Sequence, residues 1–397
     1  MSFSFKHMIF ASVFSTMMCA SPVLYAQQDD WLDRMDAQFE ETYQKTDAAF
    51  DKAMAEGVKD LDRELTSIWG EARALPEPKV WVGYSKDRKT RIVVDYERGE
   101  MSIEGFDRSE RELTQEFQDI LLEDTEKLNE RAILRRKLID TADRFWKDQN
   151  SRHQDKPRFV PRPAPKQDQT STRVQNHELS SLIAPRSRPQ FVKRSVRFGG
   201  TRQVNFTRLS IPLRKDRDQL SAVALRTPIE EVSDKYGLPA SLILSVIKNE
   251  SAFNPRARSH ANALGLMQLV ATSGGKEAYT YLMGYEATPN PRILYDPHEN
   301  IKLGATYLYL LKTRYFGKVK DPKTRLYLTI AAYNTGPGNV AKAFTGKMKL
   351  KGAIAKINTM SAQEIYRHLL KNLPYQETKT YLARVSKDLK TFANWDA

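Results

Sequence analysis

Cysteine is almost missing from this 397-residue chain: Cys19 is the only one. A disulfide framework, a thiolate metal site and a cysteine nucleophile are therefore excluded from the rest of the sequence. The six histidines, His7, His153, His177, His260, His298 and His368, show no metal-ligand spacing. His260 and His298 fall in polar, loop-like contexts and read as solvated. No glycine-rich phosphate loop follows a strand pattern. The expectation is a protein without metal or cofactor. Long apolar runs are also lacking. The longest, Met8 to Met18, is too short to span a bilayer comfortably, and no later segment reads as membrane-spanning.

That early run has the grammar of an export signal. Lys6 is the only charge before Asp29, the apolar stretch follows it, and Leu24-Tyr25-Ala26 offers a small-residue cleavage site. Residues 1–26 are read as a signal peptide. Cys19 goes with it, and Thr16, Met17 and Met18 are poor company for a lipidated cysteine. The expected location is the periplasm, with association to the outer membrane left open.

Charge is plentiful. Lys and Arg number 63 against 49 Asp and Glu, a formal net charge of +14. Such a balance favours polyanionic partners. Basic residues are spread along the chain and do not gather on one helical face, which argues against nucleic acid. For an exported protein the anionic candidates are the membrane surface and a carboxylate-bearing wall polymer, and peripheral association with either is open.

The chain then divides by pattern. Trp31, Met35, Phe39 and Tyr43 recur at every fourth position, and Phe50, Met54, Val58, Leu61, Leu65 and Ile68 continue an apolar helical stripe. Val80, Val82 and Tyr84 alternate, as do Ile92, Val94 and Tyr96. Arg98-Gly99 is placed to turn the chain into a strand with Met101 and Ile103. A long helical pattern follows from about Arg108 to Trp146. Residues 27–150 are thus expected to form a small α+β domain. Residues 151–190 carry Pro157, Pro161, Pro163, Pro165, Pro185 and Pro189 among basic and polar residues, and read as a basic linker. Residues 191–220 hold a hairpin pattern around Gly199-Gly200, which either pairs with the earlier strands or leads into the next domain. From 221 to 397 the pattern is helical. Thr227-Pro228-Ile229-Glu230 has the form of a capping box, Gly237 a helix stop and Pro239 a helix start.

The helix after Pro239 carries the chemistry. Leu242, Ile243, Val246 and Ile247 form its apolar face, and Glu250 follows at the spacing that continues it. A carboxyl on an apolar face near a helix C-terminus is disfavoured as an anion by desolvation and by the helix dipole. It keeps its proton nearer neutral pH, as a general acid for a glycosidic oxygen must. Alone, such a residue is more often the solvated edge of a buried face.

Its neighbours decide otherwise. Glu250-Ser251-Ala252-Phe253-Asn254-Pro255 resembles the first motif of the family 1 lytic transglycosylases. Gly265-Leu266-Met267-Gln268 resembles the second, Ala332-Tyr333-Asn334-Thr335-Gly336 the third, and Glu377-Thr378-Lys379-Thr380-Tyr381 the fourth. Asp296-Pro297, Asn300-Ile301 and Leu303-Gly304 fall where that family has a connecting helix. Each motif is short; four in order over about 130 residues are specific. Around Val93 to Gly99 the N-terminal half looks like the accessory domain of a membrane-bound member. Two departures stand out: Ala261 replaces a frequent second serine after Ser259, and Thr335 a frequent glycine.

The resemblance implies an all-α, lysozyme-like catalytic domain acting on peptidoglycan glycan strands. Glu250 would protonate the oxygen between N-acetylmuramic acid and N-acetylglucosamine. It would then take the proton of the C6 hydroxyl as that oxygen closes onto C1, leaving a 1,6-anhydro end. Ser259, Met267, Gln268, Tyr333, Asn334 and Tyr381 would contact the substrate. The residues fit independently: hydrolysis usually needs two carboxylates, and no other acid lies between Glu250 and Gln268 or in the third motif. Asp296, Glu299 and Glu377 remain formal second acids, with structural roles favoured by their positions at helix ends. A hydrolytic muramidase and a non-catalytic wall-binding protein are the alternatives.

Overall fold

The computed structural model describes residues 46–152, 178–198 and 202–396. The signal segment and most of the basic linker lie outside them. The chain divides into two units, 1–50 and 51–397, and everything below concerns the second.

After helix α1 (Thr46–Trp69) the chain enters three antiparallel strands: β1 (Val80–Tyr84), β2 (Thr90–Asp95) and β3 (Glu100–Phe106). Gly99 adopts φ +71° in the turn joining the last two, where a side chain would be strained. The expected single helix from Arg108 is three: α2 (Glu110–Leu121), α3 (Thr125–Arg131) and α4 (Ile133–Arg152). Ser109 and Glu112 close a capping box that starts the first. Asp124 accepts from the Lys127 amide and starts the second, where apolar periodicity alone would run on. The second break falls at Ala132, which leaves the helical region at ψ 70°.

The 191–220 hairpin joins the earlier strands. Strand β4 (Gln190–Phe198) pairs with β5 (Arg202–Pro212), and β5 pairs along β3 from Phe206 opposite Phe106 to Pro212 opposite Glu100. The sheet has the order β1-β2-β3-β5-β4, antiparallel throughout. Its buried face is made by Trp81, Ile92, Val94, Met101, Ile103, Leu209 and Ile211, covered by Leu113, Phe117 and Ile120 of α2. Ala252, two residues after Glu250, packs against this same cluster.

From Arg217 the described chain is almost wholly helical. Helices α6 (Arg217–Ala224) and α7 (Arg226–Tyr236) follow the short α5 (Glu178–Ser181) and the hairpin. The Thr227 capping box does not form. Helix α7 begins at Arg226 directly behind α6, which leaves Thr227 inside the first turn, and Arg226 pairs with Glu230 instead. Gly237 ends α7 with φ +57°, as its position suggests. Pro239 stands immediately before α8 (Ala240–Ser251). Then come α9 (Gly274–Met283), α10 (Pro291–Leu294), α11 (Pro297–Leu310), α12 (Pro322–Thr335), α13 (Pro337–Thr345), α14 (Leu350–Ile357), α15 (Ala362–Asn372) and α16 (Gln376–Thr391). His298 lies in the first turn of α11, paired with Glu231 at 2.9 Å, and not in a loop. No described helix is long and apolar enough to cross a membrane. An α+β part is thus followed by an all-α part, as the sequence patterns indicate.

Candidate active site

Helix α8 is the central element. Every residue from Ala240 to Ile247 is buried, so the helix is enclosed on all sides and not only along one stripe. It is held at its start by the segment after α16 and at its end by α16 itself. Ser241 bonds Asp396 through its amide (2.8 Å) and its hydroxyl (2.6 Å). Lys248 Nζ and Asn249 Nδ2 each reach one oxygen of Asp388 at 2.9 Å. The residues flanking Glu250 are thereby tied to the helix that carries the fourth motif. On α16, Glu377, Tyr381 and Asp388 follow at intervals of four and seven and share a face.

Glu250 keeps some exposure, yet its surround is dense enough that burial dominates its proton affinity. Burial pushes the carboxyl up to about 8. Tyr381 and Lys79 oppose the rise, and the negative charge of Glu377 adds to it. The Tyr381 hydroxyl is buried and among the described residues closes no hydrogen bond of ordinary geometry; it faces Glu250 as an unspent donor. Burial and the Glu250 charge hold both Tyr381 and Tyr333 well above the usual phenol range, so both keep their protons.

The turn after Glu250 is strained. Helix α8 stops at Ser251, short of the Asn254-Pro255 pair, because Ala252 (φ 49°) and Phe253 (φ 66°) both take the left-handed conformation. Two anchors hold them there. Ala252 is packed on the sheet core, and Phe253 is buried edge-on to Phe392 at 6.2 Å.

The second motif is held from α11. Asn300, fully buried, accepts from the Met267 amide (2.7 Å) and donates to the carbonyls of Leu264 (3.0 Å) and Leu294 (2.7 Å). Gly265 (φ +76°) must be glycine: a Cβ there would stand 2.2 Å from the Leu294 oxygen. Met267 is fully buried with its sulfur against Gly304, and its carbonyl accepts the Tyr333 hydroxyl at 2.8 Å. Gln268 sits at φ 49°; its amide nitrogen bonds the Gly265 carbonyl, leaving its side-chain oxygen buried and without a partner among the described residues. Asn334 accepts from Thr378 at 2.7 Å, which ties the third motif to the fourth.

Glu250, Tyr333 and Tyr381 are therefore brought together; Met267 is bonded to Tyr333, Asn334 to Thr378 on the helix of Tyr381, and the bonds of Gln268 stay within its own turn. Ser259 is placed otherwise. Its oxygen accepts from the Ala263 amide at 3.0 Å and closes its own turn, and no bond or charge effect among the described residues joins it to Glu250. Of the formal second acids, Asp296 caps α11 by accepting from the Glu299 amide, and Glu299 lies 3.5 Å from Lys302. Glu377 differs: it is exposed in the first turn of α16, and its charge reaches Glu250. Among the described residues no three His, Cys, Asp or Glu gather as metal ligands.

Sequence patterns missed the sheet's share in this site. Asn254 donates to the Pro78 carbonyl at 3.1 Å. Arg256, 3% exposed, bonds Asn129 (2.8 Å) and both oxygens of Glu178 (3.0 and 3.1 Å) and stacks over Trp81 at 5.3 Å. Lys79 stands near enough to Glu250 for its charge to register. No local signal marks these pairings.

Residues 227–355 match the family model described as the transglycosylase SLT domain. A membrane-bound lytic murein transglycosylase C of Haemophilus influenzae (strain PittEE) is 36% identical over 184 residues, 46% of this chain and 51% of that protein. A protein of the same name from Salmonella paratyphi B is 39% identical over 164 residues, 41% of this chain and 45% of the relative. The chain thus spans about half the length of the curated relatives it matches. Among solved structures, an inactive mutant of the lytic transglycosylase Slt from Pseudomonas aeruginosa aligns at 27% identity and TM-score 0.33, covering 43% of this chain and 24% of its own.

Proposed function

We propose that the chain, whose residues 227–355 match the transglycosylase SLT domain model, is a peptidoglycan lytic transglycosylase, with Glu250 as its single acid and base. The observation that carries this reading is the Glu250 carboxyl, held protonated to about 8 by burial at the strained end of α8. As acid it protonates the glycosidic oxygen between N-acetylmuramic acid and N-acetylglucosamine. As carboxylate it accepts the proton of the C6 hydroxyl while O6 bonds to C1, which gives the 1,6-anhydro end without water. The attack is intramolecular, so no second carboxylate is needed to activate a nucleophile. A lysozyme-like arrangement of the helical part belongs to the same reading.

The other groups have assigned tasks in this proposal. The unspent Tyr381 hydroxyl stabilises the Glu250 carboxylate that follows the first proton transfer. Tyr333, anchored on the Met267 carbonyl, walls the site. The Gln268 oxygen and the Asn334 amide offer polar contacts to sugar hydroxyls, and Ser259 shapes the loop beside them. Residues 27–150 serve as accessory domain, 151–190 as basic linker, 191–220 as joining hairpin and 221–397 as catalytic domain. The relatives' names place them at a membrane. Export by residues 1–26 to the periplasm, with peripheral association to the outer membrane, fits that setting.

Glu377 supports one competing reading, a hydrolytic muramidase in which its exposed carboxylate activates water. Mass spectrometry of muropeptides released from purified sacculi separates the two. Lytic transglycosylation gives products about 18 mass units lighter than hydrolysis, the one water that an intramolecular nucleophile replaces. Glu250→Gln abolishes release. Hydrated reducing ends would transfer the assignment to a muramidase, and no release by the unaltered protein would leave only a binding role.

A further inference from the structure

The turn that leads into β1 is unusually well fixed for a surface segment. Glu77 and Val80 exchange backbone bonds of 2.9 and 3.2 Å, and the Tyr96 amide donates to the Lys79 carbonyl at 2.9 Å. Fully buried Asn254, four residues after Glu250, binds the Pro78 carbonyl between them. The turn is thus bolted on one side to the sheet and on the other to the first motif. Lys79 is the residue that emerges from it, and its Nζ rests 2.9 Å from Glu97.

Beside Lys79 opens a cleft of about 440 Å³ lined by Glu77, Pro78, Lys79, Val80, Asp95, Glu97 and Arg98. Five of those seven residues are ionisable, three acidic and two basic. A lining with both signs of charge suits a ligand that itself carries both carboxylates and an amine. The Lys79–Glu97 pair is exposed on the Glu97 side (62%), and Arg98 is 87% exposed, so both are open to exchange partners with a ligand. The charge of Lys79 reaches Glu250 across the bolted turn, and that of Arg384 on α16 reaches Glu97. The cleft therefore adjoins the cleavage site.

We infer that this cleft is a subsite for the charged peptide borne by the muramic residue, with Lys79 as the positioning residue that links it to the cleavage site. The inference rests on the peptidoglycan reading above. That peptide carries carboxylates and, from its diamino acid, an amine. Lys79 and Arg98 receive the carboxylates, and Glu77 and Glu97 receive the amine. A peptide carboxylate bound by Lys79 would hold the muramic ring in register with Glu250. Peptide-bearing strands are then preferred over stripped ones.

Two measurements test this. The first is calorimetric titration of the non-cleaving Glu250→Gln protein with the free stem tetrapeptide, alone and with Lys79→Met added. Binding that weakens about tenfold on loss of the ammonium, the order expected for one charge-assisted contact, and returns with Lys79→Arg is the expected result. The second compares Lys79→Met with the unaltered enzyme on peptide-bearing strands and on strands stripped by an amidase. kcat/KM falls about tenfold on the former and less than about threefold on the latter. The alkaline limb of the pH profile moves upward, because Lys79 opposes the raised Glu250 together with Tyr381, against Glu377; Tyr333 also faces the carboxyl. Equal losses on both strands, or tetrapeptide binding indifferent to Lys79, would overturn the subsite. Failure of the unaltered protein to cleave either strand would refute the transglycosylase reading alone, since the titration still decides the cleft.

Discussion

Arg256 and Glu178 form a two-pronged ion pair (3.0 and 3.1 Å) that joins the loop after the first motif to α5, a short helix inside the 151–190 segment. Arg256 is buried, with Trp81 over its guanidinium and Asn129 on its Nε. Removing Glu178 would leave that cation uncompensated in a low-dielectric site, which costs far more than the pair contributes. Glu178→Ala is expected to lower unfolding stability by about 3 kcal/mol, measured in urea. A loss below about 0.5 kcal/mol, the usual range for surface changes, would mean that the guanidinium reaches water.

The pH dependence of activity follows from Glu250. Cleavage starts from its protonated form, and its midpoint is about 8. Turnover is expected to be level through neutral pH and to fall as pH rises through about 8. Initial rates on sacculi between pH 5 and 10 read this directly. A fall centred near the ordinary carboxylate range would show that Glu250 is solvated.

Stability should fall in the same direction, and for the same residue. The folded midpoint lies above the unfolded one, 4.5, so the folded protein binds more protons between the two. The stability that Glu250 allows is complete below about 4.5 and is lost as pH rises through about 8. Glu250→Gln, which cannot ionise, is expected to melt a few degrees (~2–4 °C) above the unaltered protein at pH 9 and to match it near pH 4. A gap that does not change with pH would exclude the linkage.

Tyr381→Phe removes one of the groups that favour the Glu250 carboxylate. The alkaline limb should therefore move to higher pH, while kcat falls roughly tenfold through loss of the hydroxyl that steadies the anion. An unchanged limb with unchanged kcat would make Tyr381 a packing residue.

Gly265→Ala drives a methyl against the Leu294 carbonyl at a positive-φ position. Neither the backbone oxygen nor Asn300, which grips the same loop through two bonds and Leu294 through a third, can yield cheaply. A stability loss of about 3 kcal/mol is expected, with a fall in activity as Met267 releases Tyr333. A loss under about 1 kcal/mol would show a more pliable loop than its hydrogen bonds imply.

The sequence by itself determined the parts that depend on near neighbours in the chain. Leu242, Ile243, Val246 and Ile247 mark a buried helical face, and Glu250 continues it at a helix C-terminus; that is enough to foresee a carboxyl that resists ionisation. Gly237 and Pro239 set helix limits for the same local reason, and alternation disclosed β1 to β3. Local signals also misled where two competed. The Asp124 cap and the non-helical Ala132 cut the long helix of 108–146, and α6 running into α7 displaced the cap foreseen at Thr227. Only the tertiary structure decided the rest. That β5 completes the sheet, that Asn254 meets Pro78 across 176 residues, that Arg256 is closed by Glu178, and that Lys79 and Tyr381 bear on Glu250 all depend on distant segments. Periodicity records which face of an element is apolar. Desolvation and charge pairing are set by whatever packs there, and that is fixed only when the whole chain has folded.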